Sequence, residues 1–153
     1  MQGIDGKHYL SLGRIIQQEA GLMKEITVVA GNETGSLAAV AEALGGIGVN
    51  IEAISAYGME NKAIFRIITT DSATAVKALS KLPGVKVHEA DTLIYKMINR
   101  PGELGKVTRK LANRGVNLES LYIVSRKQDF TEVAIRPSVK DMAKAMEVLG
   151  LKS

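Results

Sequence analysis

Two stretches of this chain decide its reading: NETGSLAAVAEALGGIGVNIEAI, Asn32 to Ile54, and NRPGELGKVTRKLANRGVNLESL, Asn99 to Leu121. A shift of 67 positions lays one over the other without a gap. Nine residues then coincide: Asn32, Gly35, Leu37, Val40, Leu44, Gly48, Val49, Asn50 and Glu52 match their partners. Average composition would give about one or two. One structural unit therefore occurs twice, and the repeat organises everything around it.

Working outward, hydrophobic periodicity changes in the same order in each copy. Ile26, Val28 and Ala30 alternate as a strand does, and Leu93, Tyr95 and Met97 are their counterparts. Leu37, Val40, Ala41 and Leu44 recur at helical spacing, as do Leu104, Val107, Thr108 and Leu111. Gly45, Gly46 and Gly48 end the first helix and Gly115 the second. Second strands start at Asn50 and Asn117, each with a slip in apolar phase that predicts a bulge: Ile51 against Ile54, Leu118 against Leu121. A turn around Gly58 to Lys62 leads to a third strand with Phe65 and Ile67. A turn one residue longer, around Arg126 to Asp129, leads to Val133 and Ile135. Asp71 or Ser72 can cap a helix carrying Val76, Leu79 and Leu82; Ser138 or Asp141 can cap one carrying Met142, Met146 and Leu149.

After Gly84, Val85 to Ala90 is the expected fourth strand of copy one, running almost directly into Asp91 to Ile98, the first strand of copy two. Copy two ends at Ser153 without room for its own fourth strand. The expected fold is α+β: two tandem ferredoxin-like βαββαβ modules, antiparallel sheets with both helices on one face, the second module lacking its last strand. The expected boundaries are a leader at 1–22, accessory or foreign to the native chain, and modules at 23–90 and 91–153. Lys7 to Leu12 is a candidate to supply the missing strand. A sheet face without helices calls for pairing, sheet to sheet or edge to edge, as a dimer or tetramer.

Composition narrows the function. Hydrophobic residues at 46% and charged ones at 24% are those of an ordinary globular protein, so disorder is excluded. The absence of cysteine removes disulfides and thiolate sites and fits a reducing, cytoplasmic setting. No apolar run approaches the roughly 20 residues that span a bilayer. The net charge of +4 comes from interspersed Lys and Arg, which reads as a solvated surface and not as a nucleic-acid footprint. His8 and His88 lack the partners of a metal site, Ser36 has no identifiable base, and neither a cofactor nor a catalytic set is expected.

The repeated loop before each first helix carries the chemistry: Asn32, Gly35, Ser36 and Leu37, then Asn99, Gly102, Glu103 and Leu104. A helix N-terminus presents unpaired N–H groups and partial positive charge, which suits a carboxylate. Asn50 and Asn117 open the neighbouring strand, and an amide can both donate and accept, as an amino acid's ammonium and carboxylate require. The same residue types also serve as plain helix caps and turn formers. Glu103 would oppose an incoming carboxylate, which ranks the first loop, with Ser36, above the second.

NRPGEL followed by GVNLESL resembles the ACT-domain signature; copy one matches partly, with Glu33 and Thr34 in place of Arg and Pro. The resemblance covers Lys24 to about Leu149, and the whole chain resembles the short stand-alone tandem ACT proteins. It implies a non-catalytic sensor that binds an amino acid or similar effector between ACT modules. Carried over by position, the binding residues are Asn32, Gly35, Ser36, Leu37, Asn50 and Ile51, and Asn99, Gly102, Glu103, Leu104, Asn117 and Leu118. Asn99 stands where Asp is usual. The alternative is a regulatory subunit with a catalytic partner enzyme, such as the small subunit of acetohydroxyacid synthase. More distant is an RNA-binding module of the same fold, for which Phe65 and Phe130 are the main stacking residues on offer.

Overall fold

The computed structural model describes residues 21–151, an α+β fold with six antiparallel strands and four α-helices among them. In chain order these are β1 (Leu22–Gly31), α1 (Ser36–Gly45), β2 (Ile51–Met59), β3 (Lys62–Thr69), α2 (Ser72–Leu79), β4 (Lys86–Ile98), α3 (Glu103–Asn113), β5 (Leu118–Arg126), β6 (Phe130–Pro137) and α4 (Met142–Val148). A short 3-10 turn, Val139–Asp141, precedes α4. The chain divides into two compact units, one spanning Met23–Asp91 and the other holding Leu22 and Thr92 onward. The fourth strand of copy one and the first of copy two are one element, the 13-residue β4.

In the first unit the strands pair in the order β2-β3-β1-β4. Direct partners in an antiparallel pair lie on one face, so Ile26 opposite Ile67 and Val28 opposite Phe65 define the covered side. Both helices pack there. Val40 and Leu44 from α1, and Ala75 and Leu79 from α2, close the core over these strand residues. The α1 stripe is narrower than its periodicity suggests: Ala41 is exposed, and Leu37 is exposed at 41%. Asp71 caps α2, accepting from the Thr74 N–H at 3.1 Å and the Thr74 hydroxyl at 2.7 Å.

In the second unit the pairing order is β4-β6-β5, again with a single helix-covered core of Leu93, Val107, Leu111, Val133, Ile135 and Ala145. No strand follows α4 among the described residues. On the other side of β4 from β6, the Ile94 N–H donates to the Gly21 carbonyl at 2.9 Å, and Leu22 packs on this second core. Leu22 thus belongs to the fold and not to a leader; Lys7 to Leu12 lies outside the described residues.

The expected bulges are present, between Ile51 and Ala53 and between Leu118 and Ser120, with a further irregularity between Ile123 and Ser125. The hairpin turns differ by one residue as expected. Asp141 departs from expectation. Its carboxylate caps no helix N–H; it accepts from the Asn117 backbone at 3.0 Å and from the Ser138 hydroxyl at 2.8 Å, pinning the start of β5.

Those two donors hold the Asp141 carboxyl below its ordinary range. A lowered carboxyl pKa stabilises the fold above the unfolded value of about 3.9 and ceases to do so as pH falls through the folded value. Asp141→Asn, which keeps an acceptor oxygen but no charge, should melt earlier than the unmodified chain at pH 7. The difference should close in melts taken progressively below about pH 4.

Candidate functional site

Each module presents the same loop at the top of its first strand. The residue before α1 is Gly35 at φ 91°, and the one before α3 is Gly102 at φ 87°, a left-handed backbone that a side chain would strain. Neither helix has a side-chain cap at its N-terminus. The opening N–H groups of α1 therefore face the loop without the carboxylate that serves α2.

Asn32 and Asn99 are not helix caps. The Asn32 amide donates to the Glu60 carbonyl at 3.1 Å while its backbone N–H donates to Asn61 at 2.9 Å. The Asn99 amide donates to Lys127 at 2.8 Å and its backbone N–H to Asp129 at 3.1 Å. Each Asn thus ties the loop to the tip of the β2–β3 or β5–β6 hairpin. Against Asn32 the sheet has no room: a Cβ on Gly58 would lie 2.7 Å from the Asn32 amide nitrogen.

That clamp sets the walls of a cleft in the first module. A hollow of about 330 Å³ is bounded by Asn32, Glu33 and Gly35 to Ala38 on one side and by Ala56, Tyr57, Gly58, Ala63 and Phe65 on the other. This is the lower end of the size range of small-molecule sites. A second hollow of about 400 Å³ lies between Glu33 to Ser36 and the turn Leu82 to Val85, and Glu33, Gly35 and Ser36 line both. The first is the better candidate, because it alone adjoins Leu37 and Ala38 in the opening turn of α1. The Ser36 hydroxyl donates to the Gly31 carbonyl at 2.8 Å, so it braces the loop.

Asn50 and Ile51 are not in this cleft. Ile51 pairs with Thr69 at one end of the β2–β3 ladder, whereas Gly58 pairs with Ala63 at the other, roughly 23 Å away along the strand. The same holds for Asn117 and Leu118 in the second module. Their local role is closure: Asn50 N–H donates to the Thr70 hydroxyl at 3.1 Å, as Asn117 N–H does to Asp141. Ala56, Tyr57 and Gly58 escaped sequence reasoning. They lie outside the matched segments, and only the hairpin register brings them to the loop.

In the second loop, Glu103 accepts from Arg100 Nε at 2.9 Å and Lys106 Nζ at 3.0 Å, and Arg100 Nη2 reaches the same oxygen. Arg100 and then Lys106 hold its carboxyl below the ordinary range. Its charge is thus met by two cations, and the expected repulsion of a carboxylate is offset. Leu104 packs on the second core. Phe65 is 4% exposed on the helix-covered face, out of reach of a stacking base, and Lys96 sits 3.8 Å over the Phe130 ring. The described residues hold no group of three metal-ligating side chains, and none of their helices is long and apolar enough to cross a membrane.

Residues 92–150 match the family model of the ACT domain. Protein BT0572 from Bacteroides thetaiotaomicron is 30% identical, with a TM-score of 0.74 over 86% of this chain and 90% of that one. The chain belongs to the ACT-domain family. Its fold is also that of the ligand-free regulatory subunit of aspartate kinase from Thermus thermophilus, 15% identical with a TM-score of 0.60 over 85% of this chain and 95% of that one. The Thermus flavus subunit is similar, at 16% and 0.52 over 85% and 95%. A sequence comparison with curated proteins finds no match. In this ACT protein the clamps are testable. Asn32→Ala and Asn99→Ala should each lower stability by about 1 kcal/mol in urea denaturation, the net worth of one such hydrogen bond.

Proposed function

We propose that this ACT protein is an amino-acid-binding regulatory protein, built of two ferredoxin-like modules at residues 23–90 and 91–153, that senses its effector and catalyses nothing itself. The observation that carries the reading is the cleft between the first loop and the far end of β2, bounded by an uncapped helix N-terminus and an apolar floor. A free amino acid offers the matching groups. Its carboxylate suits the opening N–H groups of α1, and its ammonium suits Glu33. Asn32, Gly35, Ser36 and Leu37 form this site, with Asn99, Gly102, Glu103 and Leu104 as its counterpart in the second module.

Asn50, Ile51, Asn117 and Leu118 enter only if another module lays its strand beside the loop, so the family's arrangement between modules requires association. The β2 edge suits it. From Ala53 to Met59 it has neither a charge nor a proline, the usual guards of a free sheet edge. A homo-oligomer, dimer or tetramer, acting in the cytoplasm is the reading, and effector bound across such an interface would tighten it. A second reading is a regulatory subunit with a catalytic partner in amino-acid biosynthesis. The likeness to aspartate kinase regulatory subunits over nearly their whole length supports it.

A thermal-shift screen of the twenty amino acids tests the function. At a hundredfold excess over its Kd, a true effector adds about 2.7 kcal/mol and visibly raises the melting temperature. If none does, the sensor reading fails. Co-purification of a large catalytic subunit with the native protein would select the second reading.

A further inference from the structure

We propose that the effector cleft works in the first module alone and takes an amino acid with an uncharged, apolar side chain. This rests on the amino-acid-sensing reading above. The cleft exists because its sheet floor is made of small residues. Ala56 lies opposite Phe65 and Gly58 opposite Ala63, all on the helix-covered side. In the second module the same lattice position is held by Ile123, opposite Val133 as Ala56 is opposite Phe65. The neighbour on the other side corresponds too: Phe65 pairs with Val28, and Val133 with Tyr95, the repeat counterpart of Val28.

A sec-butyl group therefore stands in the second module where the first has a methyl. Ile123 is 56% exposed, so its side chain is not sunk into the core but stands out from the face that in the first module forms the cleft floor. Ala63 is likewise replaced by Thr131, which pairs with Met97 as Ala63 pairs with Ala30.

The lining of the open cleft sets the ligand class. It contains the acid Glu33 but neither Lys nor Arg, so a side-chain carboxylate on the guest would meet a like charge and no counter-ion. Ala56 and Leu37 offer exposed apolar surface instead, over a floor of buried Ala63 and Phe65. Affinity should then climb from alanine through valine to leucine, by about fourfold for each methylene buried.

Isothermal titration of the full chain with alanine, valine, leucine, aspartate and lysine decides the matter, together with Ala56→Ile and Ile123→Ala, each checked for folding by its melt. The expected result is one leucine per chain, weakened about tenfold or more by Ala56→Ile and unchanged by Ile123→Ala, since several buried methylenes are displaced in the first case only. Two equivalent sites per unmodified chain would overturn the proposal, and that stoichiometry is read even if Ala56→Ile does not fold. So would leucine binding indifferent to Ala56→Ile in a folded variant. Tighter binding of aspartate or lysine, abolished by Ala56→Ile, overturns the apolar class while leaving amino-acid sensing intact. No binding by any amino acid overturns both.

Discussion

An amide side chain at the end of each module's first strand donates to a carbonyl at the tip of the neighbouring hairpin, and the functional end of the module depends on that bond. Asn32 holds Glu60, and Asn99 holds Lys127. The clamp adds a side-chain tie to the backbone bond that each Asn N–H already makes to the same hairpin. With it, the first turn of α1 and the last residues of β2 become facing walls. The demand propagates: a side chain on Gly58 would have to displace the Asn32 amide, whose nitrogen lies 2.7 Å from where the Cβ would be.

The opposite end of each module is closed by different chemistry for the same purpose. In the first, the Thr70 hydroxyl accepts the N–H that opens β2; in the second, the Asp141 carboxylate accepts the one that opens β5. A hydroxyl is indifferent to pH in this range, whereas a carboxylate is not. The closure at the start of β2 is thus indifferent to acid and the one at the start of β5 is not, although the backbone topology is the same.

Duplication also separates folding requirements from binding requirements. Residues identical in both copies, such as the paired Asn, Gly and Leu of the loops, include those that the backbone needs. The copies differ at the cleft as elsewhere: Ala56 against Ile123, Ala63 against Thr131, and a loop with Glu33 against one in which Arg100 and Lys106 converge on Glu103. A repeat can keep its fold while one copy relinquishes a site, because the exposed floor position, Ala56 or Ile123, lies outside the close-packed core.

The amino-acid sequence by itself determined the repeat, the order of strands and helices, the bulges at Ile51 and Leu118, a cap at Asp71 or Ser72, the unequal hairpins and the helix-covered side, because each is a matter of local period or turn chemistry. It also pointed to the loops at Asn32 and Asn99. It did not show that those amides clasp a hairpin 28 residues away, since that partner is decided by distance in space. It grouped Asn50 and Asn117 with the loops, although strand length carries them to the other end of the module. It missed Ala56 and Gly58, whose importance arises only when antiparallel register sets them beneath the loop. Tertiary structure alone decided which residues share the cleft, because a site is a set of distances, and only long-range pairing fixes distances between residues far apart along the chain.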